Sequence, residues 1–509
     1  MPNWLKDAVF YEIYPQTFCD SNDDGIGDIQ GMTSKLDYIA SLGCNALWIN
    51  PVYDSPFKDG GYDVRDYKKV AERYGTNEDM YNFFQEAHKR GLKVLMDLVP
   101  GHTSDEHEWF QESKQNATNK YAKRYVWTRN AFEGIPEHPY IAGGSPRAGA
   151  YMLNFFLNQP ALNYGWGVVC YPWQSSIDSP EAIETREAMK DVMRFWLDKG
   201  CDGFRCDMAD SLVKNDDDYK HATAMVWKDI RYMLDTEYPE AAIVSEWSNP
   251  YSAISLGGFH MDFYLDHHHN GYNTLLRDGE CNEVDRSYFK KDSGGDIQRF
   301  LDDYLPKYNA TKHDGYISMF TCNHDTPRIQ PILNTEEAEL FYAFLFTMPG
   351  VPFLYYGDEI GMKFIDQESK EGGYHRTGSR TPMQWNSSKN YGFSNCDPSK
   401  LYTKQDDSSD VPTVEQQEHD ETSLLNITKH LIALRHEYSD LQADPNLDVL
   451  KSDKAFFVYK RGDMICAINT SSQSYTFEVD GKEVIYSLND ATYSNNTITC
   501  NGPSFIILK

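Results

Sequence analysis

The 509-residue sequence predicts an α/β protein: a (β/α)8 TIM barrel with an inserted subdomain after the third strand and a C-terminal antiparallel β domain. Short apolar runs alternate with amphipathic helical stretches, and the runs number eight, as a closed barrel needs. Asp97, Asp207, Glu246 and Asp325 each close one of these runs, where such a barrel places its chemistry. Beyond residue 440 the helical pattern gives way to short β-type runs separated by turn residues. The expected organisation is barrel at 1–102, inserted domain at 103–167, barrel again at 168–440 and β domain at 441–509.

Residues 8–14 form a compact apolar run, the first buried strand, and lead into Asp20-Ser21-Asn22-Asp23-Asp24-Gly25-Ile26-Gly27-Asp28. Oxygen side chains at Asp20, Asn22, Asp24 and Asp28, with the Ile26 carbonyl and glycines that let the loop curl, suit a hard cation. One structural calcium or magnesium ion is therefore expected. An EF-hand would carry Glu at the twelfth position, where Gly31 stands, and the plain alternative is an acidic surface turn. A helix with Leu36, Ile39 and Ala40 ends at Gly43, and residues 46–50 give the second strand. Thr76 caps a helix carrying Met80, Phe84 and Ala87, Gly91 ends it, and residues 92–98 supply the third strand, with His102 just beyond.

From 103 to about 165 the alternation lapses into aromatic, Gly- and Pro-rich sequence, too long for a bare connection. It resumes with a fully signalled helix. Ser179 caps it, Pro180 fits its first turn, Met189, Val192, Met193 and Trp196 form its apolar stripe, and Gly200 ends it. Gly203-Phe204-Arg205-Cys206-Asp207 follows as a buried strand on which Arg205 and Asp207 share a face. Trp227, Ile230 and Leu234 mark the next helix, and residues 242–246, 261–265, 316–320 and 351–356 complete the eight. A polar stretch at 386–421 and a helix with Leu424, Leu425, Ile427, Leu431 and Leu434 lead to the β domain.

The formal charge of −29 would repel nucleic acid or an acidic membrane surface, so a small neutral substrate is expected. No apolar run is long enough to cross a membrane, and the first residues lack a secretion signal, which together predict a cytoplasmic protein. The ten cysteines include no CxxC pair and no zinc-type His–Cys spacing, so they are read as buried reduced thiols. His267-His268-His269 is read as surface histidines, Glu371-Gly372-Gly373-Tyr374 as a flexible loop, and no organic cofactor is expected. The sequence carries no signature of an oligomeric state.

Asp207, Glu246 and Asp325 on three strand ends, with Arg205, His102 and His324 beside them, suit glycoside cleavage. That reaction needs one ionised and one protonated carboxyl flanking the bond. Arg205 is expected to hold Asp207 ionised, and Trp247 to give Glu246 an apolar wall that raises its pKa.

With these motifs the chain resembles the α-amylase family of glycoside hydrolases over nearly its whole length. The matching stretches are Asp97-Leu98-Val99-Pro100-Gly101-His102, Gly203-Phe204-Arg205-Cys206-Asp207, Ser245-Glu246-Trp247 and Asn323-His324-Asp325. The resemblance implies Asp207 as nucleophile, Glu246 as general acid/base and Asp325 as the carboxylate that grips sugar hydroxyls. His102, Arg205 and His324 would bind or orient the sugar. Asp59-Gly60-Gly61-Tyr62-Asp63 and Arg380-Thr381-Pro382-Met383-Gln384-Trp385 resemble the α-glucosidase and oligo-1,6-glucosidase branch. By that resemblance Tyr62 stacks under the terminal sugar, and Asp59 binds its far hydroxyls while paired with Arg380.

Three positions depart from the family pattern. Gly101 replaces the Asn that binds the amylase calcium, so only the Asp20 loop is carried as a metal site. Ala161 replaces an Asp, and Met208 follows the nucleophile where that branch has Val, Ala or Thr, so linkage is not carried over. The resemblance implies a retaining α-glucosidase that removes glucose from the non-reducing end of short neutral α-glucosides. A transglucosidase or sugar isomerase would use the same machinery. A non-catalytic relative serving as a transporter subunit would have lost catalytic carboxylates that this chain keeps.

Overall fold

The computed structural model describes residues 1–133, 138–279, 284–370 and 376–509. The Glu371-Gly372-Gly373-Tyr374 stretch and Cys281 lie outside the described residues. Eight parallel strands follow the predicted runs: β1 (Phe10–Ile13), β2 (Ala46–Ile49), β3 (Lys93–Leu98), β4 (Gly203–Cys206), β5 (Ala242–Ser245), β6 (Met261–Phe263), β7 (Tyr316–Ser318) and β8 (Phe353–Tyr355). Each pairs with its sequence neighbour from β1 to β7, and β8 pairs with β1. The ring closes where the Phe353 amide donates to the Met319 carbonyl (2.9 Å) and the Thr321 amide to the Phe353 carbonyl (3.1 Å). A closed ring leaves no free sheet edge.

Local signals set the helices around it. Thr76 and Asp79 form a reciprocal capping box on α1 (Asn77–Lys89), and Ser179 caps α2 (Pro180–Leu197), whose first residue is proline. Such a cap contributes about 1 kcal/mol. The remaining long helices are α3 (His221–Glu237), α4 (Ile297–Thr311), α5 (Thr335–Thr347) and α6 (Leu424–Glu437). Gly203 is obligatory at the start of β4: its φ is +146°, and a Cβ there would lie 1.9 Å from the Ala242 carbonyl oxygen of β5. Inside the barrel Phe10 stacks on Phe353 at 4.3 Å and Trp48 meets Phe263 at 5.2 Å, filling the axis below the strand ends.

After β3 the chain leaves the barrel for a largely irregular excursion built on aromatic packing. Phe110 contacts Tyr125, Trp127 and Tyr151, and the Leu162 amide returns to the Gly101 carbonyl (3.0 Å). The C-terminal strands are antiparallel: β9 (Leu447–Asp453), β10 (Phe456–Arg461), β11 (Met464–Asn469), β12 (Ser474–Glu478), β13 (Val484–Leu488), β14 (Ala491–Ser494), β15 (Thr497–Asn501) and β16 (Ser504–Leu508). They form a five-stranded sheet, β9-β10-β11-β16-β13, and a three-stranded one, β12-β15-β14, around a core that includes Phe456, Ile465, Ile498 and Ile506. Arg461 of β10 reaches the barrel, donating to the Thr347 and Gln442 carbonyls, while Arg435 of α6 donates to the Phe346 and Met348 carbonyls (3.0 Å each). The last carbonyls of α5, which have no partner within the helix, are thus met by two buried guanidiniums.

Nine described cysteines are free and eight of them are buried, as expected of reduced thiols, with Cys170 the exposed one. Among the described residues no helix is long and apolar enough to cross a membrane.

Candidate active site

Strand periodicity puts Arg205 and Asp207 on one face of β4, and the structure turns that face to the barrel's mouth. The Arg205 guanidinium donates to Asp97 Oδ1 (2.8 Å), Asp207 Oδ1 (3.0 Å) and Glu246 Oε2 (3.0 Å), gathering the ends of β3, β4 and β5. The Met208 amide adds a bond to Glu246 Oε2 (2.8 Å), and Met208 takes a left-handed backbone (φ 41°), sparsely populated for such a side chain.

One guanidinium faces three carboxylates here. Burial first, and then the charge of Glu246, push the Asp207 carboxyl well above its usual range against the pull of Arg205. This corrects the expectation that Arg205 keeps Asp207 ionised: one cation does not offset burial plus two neighbouring anions. The Trp247 ring stands edge-on to Phe259 at 6.5 Å, and the oxygen of Glu246 is met by a cation and an amide.

Across the mouth the balance reverses. Asp325 Oδ1 accepts from Arg380 (2.7 Å) and Arg376 (3.0 Å), and Oδ2 meets His324 Nε2 (3.1 Å). Burial alone would raise this carboxyl, yet His324, Arg376 and Arg380 hold it well below the carboxylate range. His324 is itself clamped between Asp325 and Glu12 of β1 (Nδ1 to Oε1, 2.8 Å). Burial lowers its pKa, and the two carboxylates lift it to about 9.

Asp59 is buried and pairs with Arg376, with Gln159 Nε2 donating to its other oxygen (2.6 Å). The expected Asp59–Arg380 pair is therefore corrected. Arg380 lies over the Tyr14 ring (4.9 Å) and bonds the His324 carbonyl (2.9 Å) and Asp325, so the arginine four residues earlier takes Asp59. Spacing does not decide which of two arginines on a loop points inward. Tyr62 stacks on His324 (5.3 Å, 9°) and donates to Asp97 Oδ2 (2.8 Å). His102 Nε2 meets the Tyr62 carbonyl (3.1 Å) and its Nδ1 meets the Asn154 amide (3.2 Å). Burial pushes it down to about 4, so it is neutral at pH 7.

Asp207, Glu246, Asp325, Asp59, Tyr62, His102 and Arg376 line one cavity of about 140 Å³, joined by Phe155 and Met208. Arg205, His324 and Arg380, read from sequence as sugar-binding, stand behind this wall and orient the carboxyls in it. Arg376 and Glu12 went unnoticed in the sequence, although a Glu within the apolar run of residues 8–14 is itself a signal of a buried ion pair.

The Asp20 loop lies apart from this cavity's lining. Asp20 accepts the amides of Asn22 (3.1 Å), Asp23 and Gly25 (2.8 Å each), Asp24 accepts that of Ile26 (2.8 Å), and Asp28 caps the following helix at Gly31 (2.7 Å). Among the described residues no group of three or more His, Cys, Asp and Glu is placed to hold a metal ion. At Gly101, where the amylase calcium ligand was missing, a Cβ would lie 2.7 Å from Asn154 Nδ2. Asn154 Oδ1 in turn accepts from Lys214 Nζ (2.7 Å), whose ammonium burial pushes down to about 7. A side chain of the excursion and an ammonium from the barrel thus occupy that junction.

A closed barrel with paired carboxyls in a pocket at its strand ends defines a class, the glycoside-cleaving barrel enzymes. The Alpha-amylase family profile, described as "Alpha amylase, catalytic domain", matches residues 12–444, and the chain belongs to the α-amylase family of glycoside hydrolases. It is 34% identical over 490 residues to the trehalose synthase/amylase TreS of Mycolicibacterium smegmatis, covering 86% of this chain and 77% of that one. It is 31% identical over 525 residues to a probable oligo-1,6-glucosidase of Bacillus subtilis, covering 90% of this chain and 88% of that one. A solved glucose complex of a MutB mutant superposes over 100% of both chains with a TM-score of 0.81 and 25% identity.

Proposed function

We propose that the chain is a retaining, exo-acting α-glucosidase that releases glucose from the non-reducing end of short neutral α-glucosides. The observation that carries this reading is the small cavity itself. At about 140 Å³ it is below the size of extended ligand sites and suits one sugar ring, with the Asp59–Arg376 pair as a charged wall. Asp207 attacks the anomeric carbon, and Glu246 gives its proton to the departing oxygen. Glu246 then takes a proton from the water that breaks the glycosyl-enzyme ester, so the product keeps the α configuration. Asp325, held ionised, and the Asp59–Arg376 pair bind the ring hydroxyls, Tyr62 packs against the ring, and neutral His102 donates or accepts one hydrogen bond. NMR of the first-formed anomer tests the mechanism: an early β-anomer refutes it. Maltotetraose tests the pocket: maltose as first product refutes exo action.

The resemblance to TreS and MutB favours a second reading, in which a sugar hydroxyl rather than water captures the glycosyl-enzyme. Product analysis on maltose and sucrose separates the two, since free glucose in equal amount with its partner sugar marks hydrolysis.

Domain boundaries at residues 102, 167 and 440 and a cytoplasmic location belong to the same proposal. So does one structural calcium or magnesium ion on Asp20, Asn22, Asp24, Asp28 and the Ile26 carbonyl. It is supported by an oxygen-only donor set and requires those oxygens to share the amides they now accept. A chelator should lower the melting temperature while hardly changing turnover of the folded enzyme. An unchanged melting temperature refutes the ion.

A further inference from the structure

Glu246 is carried off the end of β5 by a turn whose shape is fixed from outside. Ser245 and Ser248 bracket Glu246 and Trp247, and both bond the same oxygen. Asp262 Oδ1, on the neighbouring strand β6, accepts from Ser245 Oγ (2.7 Å) and from the Ser248 amide (3.2 Å). Ser248 Oγ in turn accepts the Leu265 amide just past β6 (3.1 Å). Ser248 holds a left-handed backbone (φ 60°), which costs a residue with a side chain about 1 to 2 kcal/mol and persists only where neighbours impose it.

Asp262 itself is fully buried and is not part of the cavity wall. Its Oδ2 has no hydrogen-bond partner, and among the described residues no Lys or Arg forms an ion pair with it. An isolated buried carboxylate is costly, and burial pushes this one up to about 8. It acts as a neutral acceptor in the barrel core. A leucine would pack there more cheaply if packing were the only requirement.

We propose that Asp262 is a positioning residue for Glu246: by pinning Ser245 and Ser248 it fixes where Glu246 presents its proton to the leaving oxygen. The inference rests on Glu246 being the general acid. Loss of position then matters only where the leaving group needs that proton, a distinction that loss of fold or of binding does not reproduce.

The experiment compares kcat/KM, which reports the glycosyl-transfer half, on an α-linked disaccharide the enzyme hydrolyses and on α-glucosyl fluoride, whose fluoride departs without a proton from the enzyme. Asp262→Ala should lose about 30-fold or more on the disaccharide, a part of the roughly 10²- to 10⁴-fold a general acid supplies, and about 3-fold or less on the fluoride. Asp262→Asn, which keeps the Oδ1 acceptor without a charge, should restore the disaccharide to within about 3-fold of the parent. Ser245→Ala, a mild change from the other side of the bond, should show the same split at about 3- to 10-fold and keeps the test open if Asp262→Ala does not fold. Equal losses on the two substrates, parent-like cleavage by Ser245→Ala, or an Asn variant as impaired as the Ala variant overturns the proposal. Glu246→Gln is the control. If it lacks the split, the general-acid reading has failed; if it shows the split and the Asp262 and Ser245 variants do not, only the positioning role has failed.

Discussion

The two sides of the cavity are built from the same residue types in opposite proportion. Around Arg205, one guanidinium is shared by Asp97, Asp207 and Glu246; around Asp325, one carboxylate is shared by Arg376, Arg380 and His324. Asp207 is buried while the Asp325 side chain is 32% exposed, and Asp325 meets three cations where Asp207 shares one with two other carboxyls. Burial and the Glu246 charge push the Asp207 carboxyl up, while His324, Arg376 and Arg380 hold the Asp325 carboxyl down. Glycoside cleavage uses both: a proton to hand to the leaving oxygen and an anion that stays an anion beside the developing positive ring.

Removing the single cation is the harshest test of that contrast. Arg205→Met should leave three carboxyls without their shared cation and cost about 3 to 5 kcal/mol of stability, read as a lowered denaturation midpoint, with activity lost as well. A midpoint unchanged from the parent would mean the carboxyls do not depend on Arg205.

On the other side, the corrected pairing gives two variants with different outcomes. Asp59→Ala and Arg376→Ala should each lose about 2 to 5 kcal/mol in kcat/KM on a disaccharide, because each breaks the buried ion pair that forms one wall of the cavity. Arg380→Ala should act chiefly through the ionisation of Asp325. If Arg380→Ala abolishes terminal-sugar binding and Arg376→Ala does not, the assignment of partners is wrong.

His324 offers a pH test. Its folded pKa of about 9 lies above its ordinary value near 6.5, so the stability it contributes is complete below about pH 6.5 and lost as pH rises through 9. The difference in unfolding free energy between the parent and His324→Asn should therefore shrink from pH 6.5 to 9. A constant difference would show that His324 is not charged in the fold. The comparison with a variant is needed because Lys214, whose ammonium is pushed down to about 7, titrates over part of the same range with the opposite sign.

The smallest effect is expected at the junction with the excursion after β3. Gly101→Asn would place a Cβ 2.7 Å from Asn154 Nδ2 and should cost about 1 to 3 kcal/mol by crowding. The double variant Gly101→Asn, Asn154→Gly should recover part of it in thermal denaturation, and no recovery would mean Asn154 is not the obstacle.

What was legible in the sequence follows the range of the physics involved. Strands, caps and the shared face of Arg205 and Asp207 come from periods of 2 and 3.6 residues and from caps at fixed offsets, all local, and the structure matches them. Which arginine reaches Asp59 depends on how a loop folds back over the barrel, and Arg376 and Arg380 look alike from spacing alone. Where the proton sits depends on the sum of burial and every neighbouring charge, so reading Arg205 beside Asp207 in isolation gave the wrong sign. The turn that aims Glu246 is held by Asp262, sixteen residues on, and no local signal ties the two.

The guanidiniums of Arg435 and Arg461 have a bearing on how the molecule comes apart. Both lie in the seam between barrel and C-terminal sheets, and they terminate the same helix, α5, from two different directions. Pulling the β sheets away would strip the Arg461 bonds from the Thr347 and Gln442 carbonyls of the barrel side and leave the buried Arg461 charge without them. Heating should therefore give a single calorimetric peak, with the two architectures melting as one cooperative body rather than in succession.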